Sequence, residues 1–315
     1  MDIHQRPLFT GIAEQAQGRT KDIFKRLLAL IFGLPYKGSK NSIAQHIIDM
    51  LPPADHFYDL FGGGGAVSHC AALSGKFKYI HYNEINPLVF ECFINSCCGF
   101  YEEENRWISR TDFKKLKTSD AYAAFCFSFG NNLHGYAYGE DIEDYKKSLH
   151  YSIFFDDNKH LSKYFNLNDF KYSSEIISLR YKEIIQFIKT FKPERKMIEL
   201  QSLEALKRLQ ALQGLNIICS CRSYDALEIE DNSVIYCDPP YIDTEGYAHK
   251  FDHKKFYSWC KEKRNIFISE YRMPDDFLCL GAVKKSVIYD PLNKAQKKQE
   301  KLYTNEHHEE RFILC

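Results

Sequence analysis

Charge of one sign is what this sequence lacks most plainly: Lys and Arg together number 42, and so do Asp and Glu. A uniformly basic surface for coating nucleic acid is thereby excluded, although a local basic cleft can coexist with a neutral total. Long apolar runs are missing as well. The longest, LLALIFGLP at 27–35, falls short of the ~20 residues that span a bilayer. MDIHQRPLFTGIAEQAQGR at the start carries no apolar export core. The expectation is a cytoplasmic protein with no membrane partner.

Other absences narrow the chemistry. Eleven cysteines, an odd number scattered along the chain, make a reduced intracellular protein a simpler reading than a disulfide framework. Neither Cys97 with Cys98 nor Cys219 with Cys221 meets a second pair at zinc spacing, and HHEE at 307–310 is not H-E-x-x-H, so no metal is expected. No G-x-S-x-G and no kinase-type set occurs, which leaves hydrolysis and phosphoryl transfer without footing. GLPYKGSK at 33–40 comes near a phosphate-binding loop, but serine stands where the lysine belongs and Pro35 stiffens the loop. Internal repeats and low-complexity tracts are absent.

What is present is an alternation of strands and helices. Ile43, Ile47, Ile48 and Leu51 recur at helical spacing until Pro52 and Pro53 stop them. HFYDLF at 56–61 has strand character, GGGG at 62–65 breaks it, AVSHCAALSG reads as a helix ended by Gly75, and KYIHYNEI at 78–85 is a second strand. Pro87 sits where the next helix would begin, since its missing N–H costs nothing there. The pattern lapses near residue 95 and resumes with LNIICSCR at 215–222, SVIYCD at 233–238, a helix around His253 to Lys261, and NIFISE at 265–270. This predicts an α/β fold with a largely parallel sheet. Residues 1–30 form an extension, 31–95 and 215–315 one domain, and 96–214 an inserted lobe too large to be a loop. KKSVIYDPLNKAQKKQEKLY at 284–303 reads as a basic, solvated loop or ribbon.

Two stretches carry chemistry. FGGGGA at 61–66 joins a strand to a helix, where open α/β sheets bind ligands, and glycines there let the backbone approach a molecule that a Cβ would repel. Glu84 ends the next strand, placed to accept hydrogen bonds from both hydroxyls of a ribose. VIYCDPPYIDTEGY at 234–247 delivers Asp238 at a strand end, stiffens the turn with two prolines, and offers Tyr241. A flat ring bearing an amine could stack on Tyr241 while its N–H groups bond to Asp238 and to a proline carbonyl. Accepting those bonds would localise the nitrogen lone pair for attack. Lys40 is a point charge suited to a ligand carboxylate.

YKGSK at 36–40, FGGGGA at 61–66, NEINP at 83–87 and DPPY at 238–241, in that order with a long insertion before the last, resemble the DNA adenine methylase (Dam-like) family of N6-adenine methyltransferases. FSFGNN at 127–132 and EKLYTN at 300–305 are similar to phage and prophage members. The resemblance implies a Rossmann-like S-adenosylmethionine-dependent methyltransferase domain with an inserted, mostly helical target-recognition lobe. It implies methyl transfer to the exocyclic amine of an adenine flipped out of duplex DNA, with or without a partner restriction enzyme. Tyr36, Lys40, Phe61 and the run Gly62, Gly63, Gly64 and Gly65 match cofactor-contacting positions. Glu84 matches the ribose acid, which in many relatives is aspartate. Asp225 would face the cofactor's adenine, Asp238 lies close to cofactor in relatives, and Asp238, Pro239, Pro240 and Tyr241 match the catalytic loop. A monomer in solution is expected.

The residues of the lobe suggest less. Asn131, Asn132 and His134 could read base edges, and Arg106, Arg110, Lys114, Lys115, Lys146 and Lys147 could meet phosphates, although aromatics at this density are more often core. Two other readings stay open: an amino-methyltransferase acting on cytosine N4, RNA or a glutamine side chain, and a catalytically silent DNA-binding module.

Overall fold

The structure is a computed structural model that describes residues 32–36, 38–167, 170–188, 197–241, 251–284 and 299–305. The expected N-terminal extension, the IDTEGY end of the 234–247 stretch and most of the basic tract at 284–303 lie outside the described residues.

In chain order the described elements begin with α1 (Ala44–Met50), β1 (Ala54–Asp59), α2 (Ala66–Ser74), β2 (Phe77–Asn83) and α3 (Pro87–Cys97). Local sequence explains the boundaries. Leu51 is already extended ahead of Pro52. Gly75 ends α2 in the left-handed region at φ 71. Asn86 caps α3, its side chain accepting from Leu88 N, with Pro87 in the first turn. The insertion supplies α4 (Arg110–Leu116), α5 (Ala121–Cys126), α6 (Glu143–Phe155), α7 (Ile177–Ile188) and α8 (Ile198–Arg208). Then come β3 (Ile217–Ser220), β4 (Ser233–Cys237), α9 (His253–Lys261), β5 (Ile266–Glu270), β6 (Phe277–Lys284) and β7 (Gln299–Asn305). The last residues of the basic tract are therefore strand, with Glu300, Leu302 and Tyr303 buried rather than solvated.

The sheet has the order β3-β2-β1-β4-β5-β7-β6. The first five strands are parallel, and β7 runs antiparallel between β5 and β6. All five residues of β4 and of β5 are buried, as expected of parallel strands covered on both faces. From β1 the chain moves outward to β2 and β3, then returns to lay β4 on the other side of β1. The carboxyl ends of β1 and β4 thus form the topological switch point where such sheets bind ligands. Register pairs Asp59 with Tyr236, which brings the glycine turn after β1 beside the Asp238 turn after β4.

Ile47, Ile48, Val67, Ala71, Phe57, Tyr236 and Phe267 pack α1 and α2 on one face of the sheet. Tyr58, Leu60, Ile235, Ile268, Phe256 and Cys260 pack α9 on the other. The span 96–214 divides by its packing. Phe125 of α5 and Leu203 and Leu206 of α8 share a core with Tyr82, Val89 and Phe93. Leu149 and Ile153 of α6, Ile184 and Ile188 of α7, and Leu161 close a core of their own.

Candidate active site

Asp238 follows β4 directly, so a fully buried strand fixes its backbone. Its Oδ2 lies 2.5 Å from the Lys40 ammonium, which is 5 % exposed and also sits 3.0 Å from Glu300. Lys40 therefore does not reach for solvent; it binds two carboxylates and the Gly38 carbonyl. Burial disfavours its charge, but Asp238 and Glu300 outweigh that and raise its pKa well above the ordinary lysine value. The Asp238 carboxyl is pushed up by burial and opposed by Lys40, with the Glu300 charge pushing it further up.

The rest of the turn is held as firmly. Pro240 presents its carbonyl to His253 Nε2 at 2.8 Å. A carbonyl only accepts, so this contact fixes the proton on that nitrogen. The Tyr241 hydroxyl donates to Glu300 at 2.6 Å, the Lys40 ammonium stands 5.0 Å from the Tyr241 ring centre, and Tyr271 meets the ring edge-on at 4.8 Å.

Across the switch point, Gly63 N donates to Glu84 Oε2 and Asn86 N to Oε1, each at 2.8 Å. Glu84 sits one residue past β2, and burial raises its carboxyl pKa against these backbone bonds. Each carboxylate oxygen has a second lone pair, so two ribose hydroxyls can still be accepted. The glycines have internal reasons. A Cβ on Gly62 would lie 2.2 Å from the Tyr82 ring, one on Gly65 2.2 Å from Phe93, and one on Gly64 2.6 Å from the Leu34 carbonyl. Of the four, only Gly63 leaves room, with Tyr36 Cδ1 at 3.4 Å. Asp59 completes the group. It is buried, accepts from Ser68 Oγ at 2.7 Å, and its Oδ1 has no partner among the described residues. Burial pushes its carboxyl up to about 7. A buried acceptor without a donor at the switch point is what a polar ligand there would satisfy.

Phe61 turns into an aromatic group instead of standing alone. Its ring stacks on Tyr224 at 5.4 Å and meets Phe251 and Phe256 edge-on. Beside it, Asp225 pairs with Lys255 at 2.5 Å, which lowers its pKa. In the insertion, Asn131 donates to the Phe125 carbonyl and to Ser202, and Asn132 accepts from His134 N and Gly135 N, so both amides are engaged internally. His134 is exposed. Lys146 is buried, which corrects its expected place on a phosphate-facing surface, and Arg106 and Arg110 pair with Glu104, Asp120 and Glu143. Lys114, Lys115 and Lys147 are exposed.

Sequence reasoning passed over Glu300, Asp59 and His253. Asp59 stands at a strand end before a turn, the same signal that singled out Asp238. Glu300 opens EKLYTN, a motif whose resemblance gives that acid no role, and nothing local marks His253 at the start of its helix.

Fold and site together define an amino-group methyltransferase of the doubly wound α/β type. The model of the D12 class N6 adenine-specific DNA methyltransferase family matches residues 36–271, and the chain belongs to that family. It is thus a transferase that uses S-adenosylmethionine to methylate adenine N6 in DNA. No curated protein matches the sequence. Among the described residues no helix is long and apolar enough to cross a membrane.

Proposed function

We propose that this chain methylates an adenine flipped out of duplex DNA, and that the turn from Asp238 to Tyr241 holds the amine. One observation carries the reading: a half-buried carboxylate at the switch point, paired with the buried Lys40, on a turn that prolines and His253 hold still. S-adenosylmethionine, when bound, would supply a methyl group activated by a sulfonium charge, the carbon–sulfur electron pair staying on the sulfur as the methyl leaves. Tyr36, Gly63 and Glu84 would hold it, with Phe61 and Asp225 toward its adenine and Asp59 offering its unpartnered oxygen.

The chain's own residues do the rest. Asp238 accepts one N–H of the amine. With the Pro240 carbonyl given to His253, the Pro239 carbonyl is the candidate acceptor for the other. These bonds draw the nitrogen toward tetrahedral geometry and localise its lone pair, which forms the new bond to carbon. The proton that the nitrogen sheds passes to Asp238, whose raised pKa suits it to receive one. Tyr241 supports the ring of the base, and the segment with its own core around α6 and α7 supports target reading.

The test is transfer from labelled S-adenosylmethionine to DNA, followed by digestion to nucleosides. N6-methyladenine as the labelled product supports the reading. Label in N4-methylcytosine, RNA or protein instead would overturn it. Sequencing modified DNA from a methylation-deficient host then gives the target site.

A further inference from the structure

Glu300 lies beyond the family-matched segment, on the strand that enters the sheet antiparallel between β5 and β6. It is 3 % exposed. Its Oε1 is a shared anchor: the Lys40 ammonium, which also holds Asp238, is 3.0 Å away, and the Tyr241 hydroxyl donates to the same oxygen at 2.6 Å. Both ends of the Asp238–Tyr241 turn are therefore tied to one carboxylate.

We propose that Glu300 is a positioning residue of the methyl-transfer site, a brace that fixes Asp238 through Lys40 and the Tyr241 ring through its hydroxyl. The inference rests on the reading of Asp238 as the acid that grips the amine. Without Glu300 the ammonium is left to Asp238 and the Gly38 carbonyl, and the Tyr241 hydroxyl loses its 2.6 Å acceptor, so neither end of the turn keeps the tie it now has. Glu300 also adds a second negative charge beside Asp238, and a like charge disfavours ionisation. Among the described residues, the groups facing Asp238 are Lys40 ahead of α1, Asp59 at the end of β1, Tyr236, Cys237 and Tyr241 around β4, Tyr271 after β5, and Glu300 on β7. Removing the Glu300 charge leaves Asp238 as the one carboxylate paired with Lys40 among the described residues, so Asp238 stays ionised to lower pH.

The experiment uses the full chain and measures single-turnover methyl transfer to DNA from about pH 5 to 9, with Asp238→Ala in parallel. Glu300→Gln is expected to lower the rate constant ~10-fold, to leave KM for DNA nearly unchanged, and to move the acidic limb to lower pH. Glu300→Asp, which restores the charge on a shorter stem, is expected to return the limb to its wild-type position with the rate still reduced. An unmoved limb in Glu300→Gln, with or without a slower rate, overturns the brace while an inactive Asp238→Ala leaves the site reading standing. Full activity in Asp238→Ala overturns that reading and the brace with it. If Glu300→Gln does not fold, Glu300→Asp decides: a reduced rate with the limb in place supports the brace, and a wild-type rate overturns it.

Discussion

Two turns stand side by side at the switch point, and they are stiffened by opposite means. After β4 the stiffness is in the chain itself, because Pro239 and Pro240 fix φ and His253 ties down the Pro240 carbonyl. After β1 it is in the surroundings, because rings of Tyr82 and Phe93 fill the space that side chains on Gly62 and Gly65 would need. The contrast teaches that a glycine run need not be pliable. Packing from outside fixes it as firmly as proline fixes its neighbour, and an acid stands at each strand end: Asp59 closes β1 and Asp238 follows β4.

The largest effect should come from filling that space. Gly65 has φ +70 and a Cβ there would meet Phe93 at 2.2 Å, so Gly65→Ala should cost about 3–5 kcal/mol in urea unfolding. Gly63→Ala should cost about 1 kcal/mol, and equal losses at the two positions would erase the distinction drawn here.

The two acids can be compared next. Asp59 is held up to about 7 from 3.8 by burial first, so folding favours its protonated form. That stabilisation is full below 3.8 and is lost as pH rises through about 7. Asp59→Asn stays neutral, so it should match wild type in acid and exceed it by about 2–4 kcal/mol in mild base, read from melts across pH.

Smaller effects follow. His253→Ala releases the Pro240 carbonyl and should slow turnover about 10-fold while calorimetry finds S-adenosylmethionine affinity unchanged. Asp225→Asn breaks a pair whose lysine is 64 % exposed, and its stability should stay within about 0.5 kcal/mol of wild type.

Legibility in the sequence followed the same division. The Asp238 turn was readable because its strand, prolines and acid are contiguous, and Gly75, Asn86 and Pro87 marked helix ends for local reasons. Gly62 and Gly65 look in the sequence like room for a ligand, because Tyr82 and Phe93, which fill that room, lie further along the chain. Lys40 reads in the sequence as a ligand contact, yet its partners Asp238 and Glu300 arrive only when β4 and β7 join the sheet. Lys146 looked like a surface cation for want of any local sign that α6 buries it. Burial and pairing at long range are what the sequence could not display.

The central claim is that Asp238, held by Lys40 at the end of β4, grips the adenine amine. It is tested most directly by single-turnover transfer from labelled S-adenosylmethionine to adenine-containing DNA with Asp238→Ala, checked for wild-type folding by circular dichroism. The account predicts a loss of ~1,000-fold or more in rate; transfer at the wild-type rate by a folded Asp238→Ala protein would contradict it.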